Sequence, residues 1–137
     1  MIGILVVTHG NFGKELLKSA ELIIGDQENV KTLSLNRGDN IEELYSCVNK
    51  QIEQLDEGEG VLVFTDLFGG SPSNVTAANM EETYFESLSG VNLPMLIEAL
   101  DLRVNNNLKE LVNKVLKAGV GGIKDIRSEL QIASDSI

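Results

Sequence analysis

The residue with the strongest claim to chemistry is His9, the single histidine of the 137-residue chain. An imidazole is a nucleophile near neutral pH, and one of its ring nitrogens can be held by a hydrogen bond while the other reacts. His9 follows an apolar run and precedes Gly10, which indicates a strand that ends in a loop. This setting favours a nucleophile over the alternative, a histidine that only closes the end of a strand.

A carboxylate that could hold the histidine ring follows another apolar run, at Asp66. By accepting a hydrogen bond from one ring N–H, Asp66 would fix the tautomer, leave the other nitrogen free and stabilise the ring when it becomes cationic. In open α/β sheets, ligands bind outside the carboxyl ends of the strands. We therefore expect His9, Asp66 and the loop at residues 89–94, which follows a fourth predicted strand, to gather at one edge of a sheet.

The residues after Asp66 predict a site for an anion. Gly69 and Gly70 let the backbone approach a ligand closely, the Ser71 hydroxyl can donate a hydrogen bond, and the start of the next helix offers free N–H groups. Such a loop would hold a phosphoryl group without Lys or Arg, and Gly10 would border it. The chemistry that fits is phosphoryl transfer, which asks the protein mainly for position and charge stabilisation and here needs no metal or organic cofactor.

Other chemistries fit the sequence less well. A hydrolase triad of Ser71, His9 and Asp66 lacks the G-x-S-x-G elbow and would place its nucleophile where a helix cap belongs. The glycine motifs of dinucleotide-binding and P-loop proteins are absent, and a metal site would have one histidine and scattered carboxylates. For the loop at residues 66–70 viewed alone, a tight strand-to-helix connection that needs glycine only for its backbone freedom stays an open alternative.

Strands and helices that could position these residues alternate along the chain. Three apolar runs predict buried strands, at residues 2–8, 30–35 and 61–65. Two helices with regularly spaced apolar residues are predicted between them, at residues 12–24 and 41–55. A third helix has Ser71 as its N-cap and Pro72 as its first residue, and ends near Met80. This alternation predicts an α/β domain with an open, mostly parallel sheet.

The last third of the chain continues the alternation. We predict a fourth strand around residues 84–88, helices at 96–102 and 108–116, and a last strand in the tail at 123–132. No internal repeat, low-complexity segment or interdomain linker interrupts the sequence. We therefore expect residues 1–137 to form a single domain.

Composition narrows the class of protein. The formal net charge is -10 and no Lys or Arg cluster is present, which argues against nucleic acid or an anionic membrane surface as a partner. A single cysteine, Cys47, excludes an intramolecular disulfide. The first apolar run is too short for a signal peptide, and no segment approaches the roughly 20 apolar residues that cross a bilayer. We expect a cytoplasmic protein.

Three motifs in order give the chain a resemblance to a known family. They are residues 4–10 (ILVVTHG), 66–72 (DLFGGSP) and 89–96 (SGVNLPML). With these motifs the chain resembles the IIA component of the mannose, fructose and sorbose family of the bacterial sugar phosphotransferase system. The resemblance covers about the first two thirds of the chain.

The resemblance implies a fold, a site and a set of partners. The fold is a sheet of four parallel strands and one antiparallel strand with helices on both faces, commonly in a homodimer. His9 would accept a phosphoryl group from the histidine-containing phosphocarrier protein, and Asp66 would support it, with the segment at residues 69–71 beside the group. The acceptor would be a IIB component, which phosphorylates sugar arriving through a membrane permease. We expect IIB to be a separate protein.

Two other roles remain compatible with the sequence. A related domain serves a phosphotransferase-dependent dihydroxyacetone kinase as its phosphoryl donor, and a regulatory sensor could use phosphorylation of His9 to change its binding to another protein. Permease and IIB genes next to the gene for this chain would favour sugar transport. Kinase subunits would favour the second role, and a regulator without a permease would favour the third.

Overall fold

The computed structural model describes residues 1–135. Within them, four strands form one sheet: β1 Gly3–His9, β2 Val30–Leu35, β3 Val61–Thr65 and β4 Glu86–Leu88. Their order across the sheet is β2-β1-β3-β4, and every neighbouring pair is parallel. The chain thus adds β2 on one side of β1 and β3 on the other, so the loops that follow β1 and β3 diverge over a shared crevice.

Helices occupy most of the remaining described residues. They are α1 Phe12–Ile24, α2 Ile41–Leu55, α3 Ser71–Asn79, α4 Leu93–Leu102, α5 Leu108–Gly121 and α6 Ile126–Asp135. None of these helices is both long enough and apolar enough to cross a membrane.

Both faces of the sheet are buried, which explains the unbroken apolar runs of the central strands. Ile4, Val6 and Phe64 point to one face and pack with α1, α4 and α5. Leu5 and Val7 point to the other face and pack with α2 and α3. Successive side chains of a strand alternate between faces, so β1 contributes to both cores and is held between two layers of helices.

The first two thirds of the chain confirm the predicted elements. The bounds of α1, β2, α2 and β3 are those read from the sequence, and β1 and β4 differ by two residues or fewer at either end. Helix α3 begins at Ser71 itself with Gly70 as its N-cap, so the prediction of Ser71 as the cap was wrong by one residue. Helix α4 begins at Leu93, earlier than predicted, because the Asn92 side chain accepts a hydrogen bond from the Met95 N–H at 3.0 Å.

The predicted strand at residues 123–132 was wrong. Residues 126–135 form α6, and no antiparallel strand joins the sheet within residues 1–135, where all four strands are parallel. The Asp125 side chain accepts a hydrogen bond from the Ser128 N–H at 3.2 Å, which is the pattern of a helix N-cap. Ile126 and Leu130 lie four residues apart, the spacing of one helix face, and both are exposed.

Arg103 holds together the edge of the sheet opposite to His9. It follows α4 and is 2% exposed. Its guanidinium donates hydrogen bonds to the carbonyl oxygens of Ile2 at 3.2 Å, Asn29 at 2.9 Å and Glu28. Burial lowers the pKa of this group, against the opposing effect of Glu57 and Glu28. A buried cation thus fixes the starts of β1 and β2, a role that its position in the sequence did not reveal.

Candidate functional site

His9 and Asp66 are joined by two hydrogen bonds. His9 is the last residue of β1, and Asp66 follows the last residue of the neighbouring strand β3. Oδ2 of Asp66 accepts a hydrogen bond from the His9 backbone N–H at 2.8 Å and lies 2.8 Å from ring atom Nδ1. The expectation that the two residues meet at the carboxyl edge of the sheet is confirmed.

The charge of Asp66 determines which nitrogen of the His9 ring carries the proton. Burial would raise the pKa of the Asp66 carboxyl, but hydrogen bonds from the His9 backbone and ring, together with the charge of the ring, lower it below its ordinary value. An ionised carboxylate only accepts hydrogen bonds, so Nδ1 carries the proton and the lone pair lies on Nε2. Nε2 has no hydrogen-bond partner within residues 1–135, and the His9 side chain is 51% exposed.

Gly70 lies against the imidazole ring. A Cβ atom at this position would lie 3.0 Å from Cε1 of His9, tighter than nearly all real contacts of a Cβ. The φ of Gly70 is -80°, which any residue adopts, so the ring and not the backbone angle calls for glycine here. Gly69 has a φ of +87° and its carbonyl accepts a hydrogen bond from the Asn74 side chain at 3.3 Å. The two glycines therefore serve different needs.

The backbone amides of the loops fall into two groups. The Gly10 N–H donates to the Leu35 carbonyl at 2.8 Å, and the Gly70 N–H donates to the Leu67 carbonyl at 3.2 Å. Within the described part of the chain, the N–H groups of Ser71 and Ser73 have no acceptor, as is usual in the first turn of a helix. The start of α3 thus supplies a free donor at Ser71, which lines the space in front of His9, whereas the N–H groups of Gly10 and Gly70 are already paired.

An open cleft of about 470 Å³ lies in front of the ring. Its lining brings together three of the predicted site residues and three from the end of β2 and the loop after it: His9, Gly10, Ser71, Leu35, Asn36 and Arg37. Sequence reasoning missed the contribution of residues 35–37. These residues reach the cleft because β2 pairs directly with β1, with His9 opposite Leu35, and the sequence does not show that pairing.

The loop after β4 lies to one side of this cleft. It is tied to β3 by a hydrogen bond from the Val91 N–H to the Thr65 carbonyl at 3.0 Å. Ser89 lines a different, more apolar depression with Phe68, Met80, Leu88 and Leu116 among others. The expectation that this loop gathers at the same edge holds for its position, but it contributes no residue to the lining of the His9 cleft. The residues described here contain no cluster of three or more His, Cys, Asp or Glu side chains suited to a metal ion.

The chain matches the family model EIIA-man, described as the PTS system fructose IIA component, over residues 3–116. It is 37% identical over 130 residues to the PTS system mannose-specific EIIAB component of Escherichia coli (strain K12), an alignment that covers 93% of this chain and 40% of that protein. It is 33% identical over 116 residues to the PTS system fructose-specific EIIA component of Bacillus subtilis (strain 168), covering 84% of this chain and 80% of that protein.

Solved structures agree with the sequence relatives. The phosphotransferase system component EIIA from Streptococcus agalactiae superposes with a TM-score of 0.87 at 36% identity, over 93% of this chain and 99% of that one. The family model spans most of the chain, and the relatives agree with it in sequence and in fold. The family assignment therefore rests on both. The chain belongs to the EIIA-man family, the IIA components of the mannose family of the phosphotransferase system.

Proposed function

We propose that this protein carries a phosphoryl group on Nε2 of His9, accepting it from the histidine-containing phosphocarrier protein and passing it to a IIB component for sugar uptake through a membrane permease. The observation that carries this proposal is the 2.8 Å hydrogen bond between Nδ1 of His9 and Asp66, which leaves the lone pair of Nε2 at an open cleft. The relay would operate in the cytoplasm. It needs no metal or organic cofactor.

The transfer step is a displacement at phosphorus. The Nε2 lone pair forms a new N–P bond while the bond between phosphorus and the donor's ring nitrogen breaks, and the electron pair of the broken bond stays on that nitrogen. The His9 ring then holds a proton on Nδ1 and phosphorus on Nε2, so it becomes cationic. The Asp66 carboxylate stabilises this cation, which is the arrangement that an orienting carboxylate provides in other histidine sites.

The start of α3 supplies groups for the phosphoryl oxygens. Ser71 lines the cleft and offers both a hydroxyl and a free N–H, and the first turn of a helix favours negative charge. Gly70 leaves room for the ring, and Gly69 and Gly10 turn the two loops that border the cleft. The four residues thus serve phosphoryl binding in different ways: Ser71 by donation, and the glycines by the space and the backbone path that they provide.

The experiment that tests the proposal is incubation with the phosphocarrier protein, its kinase and phosphoenolpyruvate, followed by peptide mapping of the label. We expect an acid-labile, alkali-stable phosphoramidate on His9. His9→Gln should keep the fold, because the side chain is half exposed, yet accept no phosphoryl group. Label on Ser71 or Asp66 in place of His9, or continued relay by His9→Gln, would overturn the proposal.

We further propose that the protein forms a homodimer. The family resemblance supports this, as does the free outer edge of β4 among the described strands, since an unpaired strand edge is a ready template for association. Beside it lies the apolar depression that includes Phe68, Met80 and Leu116, all of them exposed. Sedimentation at micromolar concentration tests the proposal, and Leu116→Asp should shift the protein towards monomer. A wild-type protein that sediments as a monomer would contradict it.

A further inference from the structure

Arg37 is held beside the His9 cleft by the architecture of the sheet. It lies two residues beyond Leu35, which stands opposite His9 in the β1–β2 pairing and whose carbonyl accepts the Gly10 N–H. The loop from Asn36 to Asp39 closes on itself: the Asp39 side chain accepts the Asn36 N–H at 2.6 Å, and the Asp39 N–H donates to the Asn36 carbonyl at 3.0 Å. The backbone at Arg37 is therefore fixed relative to His9 by hydrogen bonds of the main chain and of the Asp39 side chain.

The guanidinium of Arg37 carries a positive charge that no described side chain pairs with. Its side chain is exposed and forms no ion pair with the side chains of residues 1–131, although the protein has a formal net charge of -10. Among the six residues that line the cleft, Arg37 is the only one with a permanent charge. A guanidinium presents several N–H donors in one plane, and this geometry matches the oxygens of a phosphoryl group.

We propose that Arg37 binds the phosphoryl group carried by His9 and stabilises its negative charge. The inference rests on the proposed function, because it assumes phosphorylation of Nε2. Arg37 would approach the group from the β2 side of the cleft, opposite the donors of Ser71 at the start of α3. The phosphoryl oxygens are then held from two sides. The loop before α3 contains no cation, and the loop after β2 supplies one.

The test uses phosphoramidate as the phosphoryl donor, because this small molecule removes the influence of partner docking. Nε2 forms the N–P bond while the N–P bond of phosphoramidate breaks and ammonia leaves. The rate of phosphorylation is measured for the unchanged protein, Arg37→Gln, Arg37→Lys and the control Lys50→Gln. Lys50 is an exposed residue of α2 outside the cleft lining, so its substitution changes the net charge equally. Phosphorus NMR then gives the pKa of the bound phosphoryl group.

We expect Arg37→Gln to slow phosphorylation about tenfold, the loss expected for a hydrogen bond between charged groups. The pKa of the phosphoryl group should rise in this variant, because a nearby cation favours the dianion and the substitution removes that cation. Arg37→Lys should restore the pKa and part of the rate, since it keeps the charge but not the planar donors. Lys50→Gln should match the unchanged protein.

Three results would overturn the assignment of Arg37 without touching the role of His9. One is an unchanged rate and phosphoryl pKa in Arg37→Gln, and another is an equal effect of Lys50→Gln. The same variants are also measured with the phosphorylated phosphocarrier protein as donor. The third result is a slower rate with that protein but not with phosphoramidate, which would place Arg37 in contact with the partner. If the unchanged protein takes no label on His9 from either donor, the proposed function fails and the inference fails with it.

Discussion

Gly70 lies so close to the His9 ring that a single methyl group would meet Cε1 at 3.0 Å. We predict that Gly70→Ala keeps the fold and slows phosphoryl transfer about tenfold, because the ring must move by a few tenths of an ångström away from its position on Asp66. Thermal unfolding and single-turnover transfer measure the two effects separately. Gly121→Ala is the control, since a Cβ there meets nothing within 4 Å; equal transfer rates in the two variants would contradict the prediction.

Replacing Asp66 by Asn should impair transfer more strongly. The amide keeps the size of the side chain. It removes the charge that would stabilise the proposed phosphorylated ring, and it can reverse the hydrogen bond to Nδ1, which favours the wrong tautomer. We predict a loss of about a hundredfold in single-turnover transfer with the fold retained. Asp101→Asn, an exposed site on α4, serves as the matched change of charge. An unchanged rate in Asp66→Asn would assign that residue a purely structural role.

Asp66 should also contribute to the acid sensitivity of the protein. Its pKa is lowered in the folded state, so its contribution to stability is present in full above the ordinary value of about 3.9 and is lost as the pH falls towards the folded value. The difference in unfolding free energy between the unchanged protein and Asp66→Asn should therefore be largest near neutral pH and shrink below about pH 4. Urea unfolding between pH 3 and 7 measures it. A difference that grows on acidification would have the wrong sign.

Arg103 should matter for stability and not for transfer. Arg103→Met leaves buried carbonyl oxygens without donors, and we predict a loss of about 3 kcal/mol in the free energy of unfolding. The folded fraction should still transfer phosphoryl groups at the normal rate, because Arg103 lies at the edge of the sheet opposite to His9. Arg127→Met on α6 is the exposed control. Comparable urea midpoints for the two variants would show that these hydrogen bonds contribute little.

The sequence predicted best where local pattern and burial agree. The β1 run is apolar because both of its faces are covered, and α2 shows apolar residues at helical spacing because one face packs on the sheet. The prediction for the tail failed because this agreement between pattern and burial is missing there. The apolar residues at 123–132 alternate too weakly to separate a strand from a helix. The side chains at residues 126–131 are all exposed, so burial imposes no apolar pattern on this part of α6, and the N-cap at Asp125 was the better signal.

The candidate site was predictable in part. His9 and Asp66 could be paired because parallel strands end at a common edge, and that rule needs no knowledge of strand order. Arg37 could not be found in the same way, because its loop borders His9 only if β2 lies directly beside β1. The separate roles of Gly69 and Gly70 also depend on three-dimensional contacts, since adjacent glycines look alike in a sequence.

The single free nitrogen of His9 has a consequence for the order of events in a relay. In the proposed relay, a donor and an acceptor must each bring a reacting atom in line with Nε2, which faces an open cleft of about 470 Å³. We therefore expect the two proposed partners to compete for one binding surface and not to bind the protein at the same time. Transfer through such a carrier should follow double-displacement kinetics. A large excess of either partner should slow the transfer, because it prevents the other partner from binding.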